Sequence, residues 1–174
     1  MRVYGLIGYP LGHSFSKKYF TEKFINEGIA DCSYENFAIE TIDELKNVLA
    51  QNPNIGGFNV TIPHKQTVLP FLDDSSNLPA GLSACNCIKV VKGKLVGYNT
   101  DVTGFEKSLL VKLQHYHTKA LILGNGGATE AVKFVLNKLG ISFKIVSRKL
   151  HNDSHLCYAD VNEAVMQEHL LDRK

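Results

Sequence analysis

Residues 119–129 read KALILGNGGAT: a five-residue apolar-rich run, then three glycines within four positions, then the start of another apolar pattern. Lys119 to Leu123 has the length and continuity of a buried strand. Ala128 to Leu139 follows with helical periodicity and stops at Gly140, a residue suited to the positive φ of a helix C-terminus. Phe143 to Ser147 (FKIVS) reads as a second strand. Strand, glycine turn, helix and strand make a βαβ unit, whose crossover implies a parallel sheet. Glycines at such a turn let a pyrophosphate approach bare backbone at a helix N-terminus, where unpaired N–H groups and the helix dipole favour an anion. Gly124, Asn125, Gly126, Gly127 and Ala128 are therefore candidate cofactor-binding residues, with Thr129 standing where the usual fingerprint has Gly or Ala.

The end of the second strand distinguishes the dinucleotides. An NAD site places an acidic residue there for the ribose 2′-hydroxyl, whereas this chain has Ser147, Arg148 and Lys149. A hydroxyl and two cations suit a 2′-phosphate, so NADP is expected. Farther on, Asp160 and Glu163 have the spacing of a capping box before a short helix, and a third parallel strand is due after it. The sequence stops at HLLDRK, residues 169–174, so this second domain is expected to be incomplete.

The first half has its own α/β pattern. Val3 to Gly8 reads as a strand, and a helix from about Ser16 to Glu27 is expected to bury Tyr19, Phe20, Phe24 and Ile25. Ser33 to Ile39 is a further strand, and Thr41 with Glu44 forms a capping box ahead of the stripe Ile42, Leu45, Val48 and Leu49. GFNVTIPHKQ, residues 57–66, alternates Phe58, Val60 and Ile62 with Asn59 and Thr61. Pro63 then suits the first position of a helix presenting His64 and Lys65. A polar strand face is costly in a covered sheet unless it meets partners, and ligands of open α/β sheets gather at the carboxyl ends of strands. Asn59, Thr61 and Lys65 are accordingly candidate site residues, as are Ser14 and Ser16 at the first helix start. Cys85 to Val91 and Leu95 to Tyr98 read as a hairpin around Lys92-Gly93-Lys94, and a helix from about Val102 to Leu113 connects the halves. The expected domains are 1–101 and 102–174, with 102–115 as the connecting helix.

Composition narrows the function classes. With 44% hydrophobic and 21% charged residues in 174, this is an ordinary globular composition, and a net charge of +2 without a basic stripe argues against nucleic acid. No apolar run approaches a membrane span and the N-terminus lacks a signal-peptide core, so a cytoplasmic protein is expected. Cys32, Cys85, Cys87 and Cys157 fit neither a zinc spacing nor a disulfide scaffold, and His115 with His117 lacks a third ligand, so no metal is expected. An exposed sheet edge leads us to expect a homodimer.

Taken together, Gly8-Tyr-Pro-Leu-Gly-His-Ser14-Phe-Ser16, Asn59-Val-Thr61-Ile-Pro-His-Lys65, Ala84-Cys-Asn86, Gly97-Tyr-Asn99-Thr-Asp101, Gly104 and Gly124-Asn-Gly-Gly127-Ala128 resemble the shikimate dehydrogenase family, in family order across nearly the whole chain. The resemblance implies an N-terminal three-layer α/β substrate domain followed by an incomplete Rossmann-like nucleotide-binding domain. It further implies NADP-dependent interconversion of shikimate and 3-dehydroshikimate in aromatic amino acid (chorismate) biosynthesis. By resemblance Ser14 and Ser16 bind the carboxylate, Asn59, Thr61, Asn86 and Asp101 the ring hydroxyls, and Lys65 with Asp101 forms the catalytic pair. Which of the pair moves the proton is left open by the sequence, as is shikimate against quinate. A folded, ligand-binding but non-catalytic remnant is the alternative reading, because the family's glutamine-bearing C-terminal segment has no counterpart here.

Overall fold

The computed structural model describes residues 1–150 and 155–170, and the chain divides into two compact units, Met1–Thr100 and Asp101–Lys174. The first unit contains β1 (Arg2–Gly8), α1 (Ser16–Asn26), β2 (Cys32–Ala38), α2 (Leu45–Gln51), β3 (Ile55–Val60), α3 (His64–Thr67), β4 (Cys87–Val91) and β5 (Lys94–Tyr98). Its sheet runs β2-β1-β3-β4-β5, with β2, β1 and β3 parallel and the last two pairings antiparallel. Period-two alternation divides the side chains between two faces. Ile7, Phe58, Val60, Ile88 and Leu95 form the main core with Leu45 of α2 and Val68 after α3. Tyr4, Leu6 and Tyr34 on the other face receive Phe20 and Phe24 of α1. The result is three layers.

Several local expectations are corrected. Tyr19 and Ile25 are 58% and 73% exposed, because α1 meets the sheet through the single i, i+4 stripe of Phe20 and Phe24. Phe20 stacks on Tyr34 with ring centroids 4.5 Å apart. Ile62 is 56% exposed, since β3 ends at Val60 and the alternation stops with it. Pro63, joined to Ile62 by a cis peptide, precedes α3 instead of opening it. His64 is not presented to solvent but buried, its Nε2 2.8 Å from the Ile39 carbonyl and its Nδ1 3.4 Å from Thr67 Oγ1.

The capping box forms as expected: the Glu44 carboxylate accepts from the Thr41 N–H at 2.9 Å and opens a 3-10 turn, Ile42–Glu44, ahead of α2. That bond is the largest of the effects holding the Glu44 carboxyl below its ordinary pKa. The hairpin turn is only Lys92-Gly93, both at positive φ (51° and 78°), and Lys94 already belongs to β5.

The connecting helix α4 is Thr100–Leu110, beginning earlier and ending sooner than the expected Val102 to Leu113. Beyond it the second unit contains β6 (Lys119–Leu123), α5 (Thr129–Lys138), β7 (Ser142–Ser147), β8 (Leu156–Cys157) and α6 (Glu163–Leu170). Its three strands pair in parallel in the order β6-β7-β8 around Ile122, Leu136, Ile141 and Ile145. A third parallel strand is thus present as β8, ahead of α6. The expected Asp160–Glu163 box does not form. The Asp160 carboxylate instead accepts from the Cys157 N–H at 2.7 Å, and Asn162 Oδ1 caps α6 through the Val165 N–H at 3.1 Å.

One glycine sets how closely β1 and the segment after β3 approach. A Cβ on Gly8 would lie 2.4 Å from Thr61 Cγ2 and 2.8 Å from the Ile62 carbonyl oxygen, and backbone cannot give way cheaply there. We expect Gly8→Ala to cost about 1–3 kcal/mol or more of unfolding free energy, measured by urea titration. An unchanged midpoint would show that the two segments can part.

Candidate active site

In a sheet ordered β2-β1-β3, the chain leaves β1 on one side and returns on the other, which opens a crevice at the carboxyl ends of β1 and β3. The candidate polar residues converge on that edge. Ser14 and Ser16 follow β1, where Ser14 Oγ accepts from the Ser16 N–H at 3.3 Å. Thr61 follows β3 and donates its N–H to the Ile7 carbonyl at 2.9 Å, while Tyr9 donates to the Ile62 carbonyl at 3.0 Å. Lys65 lies in α3, half-buried, and its carbonyl accepts from the Cys85 N–H at 2.8 Å. Asn86, 7% exposed, holds Thr100 from both ends of its amide: Oδ1 accepts from the Thr100 N–H at 2.8 Å and Nδ2 donates to Thr100 Oγ1 at 2.9 Å. Asp101, the next residue, is half-buried in the first turn of α4, where an acidic side chain complements the helix dipole.

A residue not singled out in the sequence organises this edge. Tyr34 of β2 is 3% exposed, and its phenol donates to Asn59 Oδ1 at 2.8 Å. The Ser16 side chain counters part of the effect of burial on the same phenol, which puts it close by. The arrangement commits Oδ1 of Asn59 to Tyr34 and thereby fixes which end of the amide is the donor toward a ligand. Tyr34 and Asn59 also line a cavity of about 610 Å³ on the α1 side of the sheet, together with Phe24, Cys87, Tyr98 and Thr100. Tyr34 was hidden in the sequence because an aromatic in a strand reads as core. Only its position across the sheet from Asn59 reveals the hydroxyl's use.

In the second unit a cavity of about 870 Å³ is lined by Gly124, Asn125, Gly126, Ser147, Arg148, Lys149 and Tyr158. Gly124 takes φ +120°, closed to a side chain without strain. Gly127 and Ala128 belong to the same turn without lining the cavity, and Ala128 precedes α5 as its N-cap. Thr129, the departure from the fingerprint, is buried and donates its hydroxyl to the Gly124 carbonyl at 3.3 Å. Ser147 donates its hydroxyl to the Lys149 carbonyl, so its proton shapes the turn that carries Arg148 and Lys149. Bare backbone at a helix start and two cations, with no acidic side chain among the described lining residues, fit a dinucleotide bearing an extra phosphate. Among the described residues no group of three or more His, Cys, Asp or Glu could hold a metal, and no helix is long and apolar enough to cross a membrane.

Burial pushes the Tyr34 phenol up to about 12 from an ordinary 10.0, with the Ser16 side chain acting the other way. A folded-state pKa raised in this way contributes stability that is whole below pH 10 and lost as pH rises toward 12. We expect the unfolding free energy to fall by up to ~3 kcal/mol more across that window in the wild type than in Tyr34→Phe. Parallel pH profiles of the two would remove this role from Tyr34.

Residues 6–88 match the family model of the shikimate dehydrogenase substrate binding domain. The NADP(+) shikimate dehydrogenase of Methanococcus maripaludis is 38% identical over 161 residues, covering 89% of this chain and 56% of that protein. Shikimate dehydrogenase 1 of Peptoclostridium difficile superposes with a TM-score of 0.74 at 29% identity, over 90% of this chain and 60% of that one. The Thermus thermophilus enzyme, solved in complex with NADP(H) and shikimate, gives a TM-score of 0.70 at 29% identity, over 86% and 57%. The chain thus spans about half the length of the curated relatives it matches. Residues 6–88 thus carry a shikimate dehydrogenase substrate binding domain, and the chain is similar to shikimate dehydrogenases over about nine-tenths of its own length.

Proposed function

We propose that the chain takes part in the NADP-dependent interconversion of shikimate and 3-dehydroshikimate, the step its relatives are named for, in the biosynthesis of aromatic amino acids. The observation that carries the reading is the Tyr34–Asn59 hydrogen bond, which orients the Asn59 amide at the edge where Ser14, Ser16, Thr61 and Lys65 also lie. Shikimate is a cyclic polyol acid. A carboxylate needs hydroxyl or N–H donors, supplied by Ser14 and Ser16, and ring hydroxyls need amide and hydroxyl partners, supplied by Asn59 and Thr61. Asn86 adds a further partner and holds the first turn of α4, which carries Asp101.

The residues of the chain perform the proton work. Lys65 takes or returns the proton of the reacting ring hydroxyl, and its ammonium form stabilises charge growing on that oxygen. Asp101 orients the lysine and accepts a hydrogen bond from the neighbouring hydroxyl. NADP, when bound, supplies the hydride acceptor. Gly124, Asn125, Gly126, Gly127 and Ala128 would cradle its diphosphate, and Arg148 with Lys149 its 2′-phosphate. Ser147 shapes the turn that presents those two side chains.

The test uses two proteins: the chain as it stands, and a version continued after Lys174 with the remaining segment of the Methanococcus maripaludis relative. We expect shikimate binding by calorimetry in both and shikimate-dependent NADPH absorbance in the extended version. Lys65→Ala there should lower kcat by roughly 10²–10⁴-fold while shikimate affinity stays within a few-fold. Absence of shikimate binding in both proteins would overturn the reading. Near-normal turnover of the Lys65 variant would remove the lysine from proton transfer.

A further inference from the structure

We propose that Tyr158 is the residue on which the adenine of the nucleotide stacks, and so a determinant of which nucleotides the second unit retains. The inference rests on the NADP reading above and adds a contact that the glycine loop and the two cations do not provide.

Three strand ends meet at one cavity. β6, β7 and β8 lie side by side and parallel, so their carboxyl ends share one edge, and Ser147 of β7 is in register with Cys157 of β8. Neighbouring strands are about 4.8 Å apart. The loop after β6 is the glycine turn, the residues after β7 are Arg148 and Lys149, and the residue after β8 is Tyr158. A ligand whose diphosphate rests on the first and whose ribose 2′-phosphate meets the second carries its base one strand farther along, over the third. All three positions line the same cavity of about 870 Å³.

The ring is mounted on fixed backbone. Tyr158 opens a 3-10 turn, Tyr158–Asp160, closed by the Asp160 carboxylate on the Cys157 N–H at 2.7 Å. Just before β8, His155 is clipped to β7 twice: its N–H donates to the Ile145 carbonyl at 2.9 Å, and its Nδ1 accepts from the Ile145 N–H at 3.0 Å. Tyr158 itself is 47% exposed and lines the cavity. A rigid, half-exposed aromatic is what a base needs, since every base has a π-face and little side-chain freedom is lost on stacking. Arg148 on the neighbouring strand end adds a guanidinium plane to the same pocket.

The experiment titrates the full chain with two probes by calorimetry: adenosine 2′,5′-bisphosphate, which carries the base, and pyrophosphate, which does not. Stacking uses the ring and not the hydroxyl. We therefore expect Tyr158→Ala to weaken adenosine 2′,5′-bisphosphate roughly tenfold or more and Tyr158→Phe to stay within about twofold, with pyrophosphate affinity unmoved in both. Equal affinity of wild type and Tyr158→Ala for the bisphosphate overturns the stacking role and leaves the nucleotide reading standing. An equal loss for both probes makes Tyr158 a prop of the turn and overturns it too. If the wild-type chain binds neither probe, the NADP reading falls and the inference with it.

Discussion

Parallel pairing of β1 with β3 governs the polar edge of the first sheet, because it forces two segments that are distant in sequence to end at the same place. Once Leu6 stands opposite Asn59 and Ile7 opposite Val60, the segment that leads to Ser14 and Ser16 must begin beside the one that leads through Thr61 to Lys65. The approach is close enough to exclude a methyl group at Gly8. Antiparallel pairing of β3 with β4, and of β4 with β5, then delivers Asn86 and the start of α4 to the same edge. No individual polar contact has to hold the site together, since the sheet register does so with many backbone bonds at once.

A buried polar cluster survives on such an edge only if its members satisfy one another. Tyr34 is the member that makes this possible. Its ring is packed against Phe20 like any core aromatic, while its hydroxyl donates to Asn59. The phenol therefore joins hydrophobic packing to the orientation of the Asn59 amide within one side chain. His64 does similar work for α3, tying the helix that carries Lys65 to the carbonyl of Ile39.

Much of this was legible in the sequence where a local rule has a local cause. The Thr41–Glu44 box, the glycine turn after Leu123 and the polar faces of Asn59 and Thr61 each declare themselves within a few residues. What escaped depends on partners far along the chain. Tyr34 is an ordinary strand aromatic until β2 is laid near Asn59. Ile62 continues a period-two pattern that the sheet has already abandoned at Val60, and His64 looks presented until its ring is seen to point inward. Asp160 chose Cys157, three residues back, over Glu163, three residues ahead, because Cys157 takes the extended backbone of a cap while Asn162 served α6 better. Such competitions are decided by backbone conformation, which spacing alone does not encode.

The threonine at position 129 has an effect that reaches past the fingerprint it interrupts. Its hydroxyl bonds the Gly124 carbonyl and its N–H the Gly126 carbonyl, so the glycine turn is closed on itself by the first residue of α5. Glycine-rich backbone is the kind that loses most entropy when a ligand orders it. Here the ordering is accomplished during folding, so the turn enters any encounter with its immobilisation cost already met.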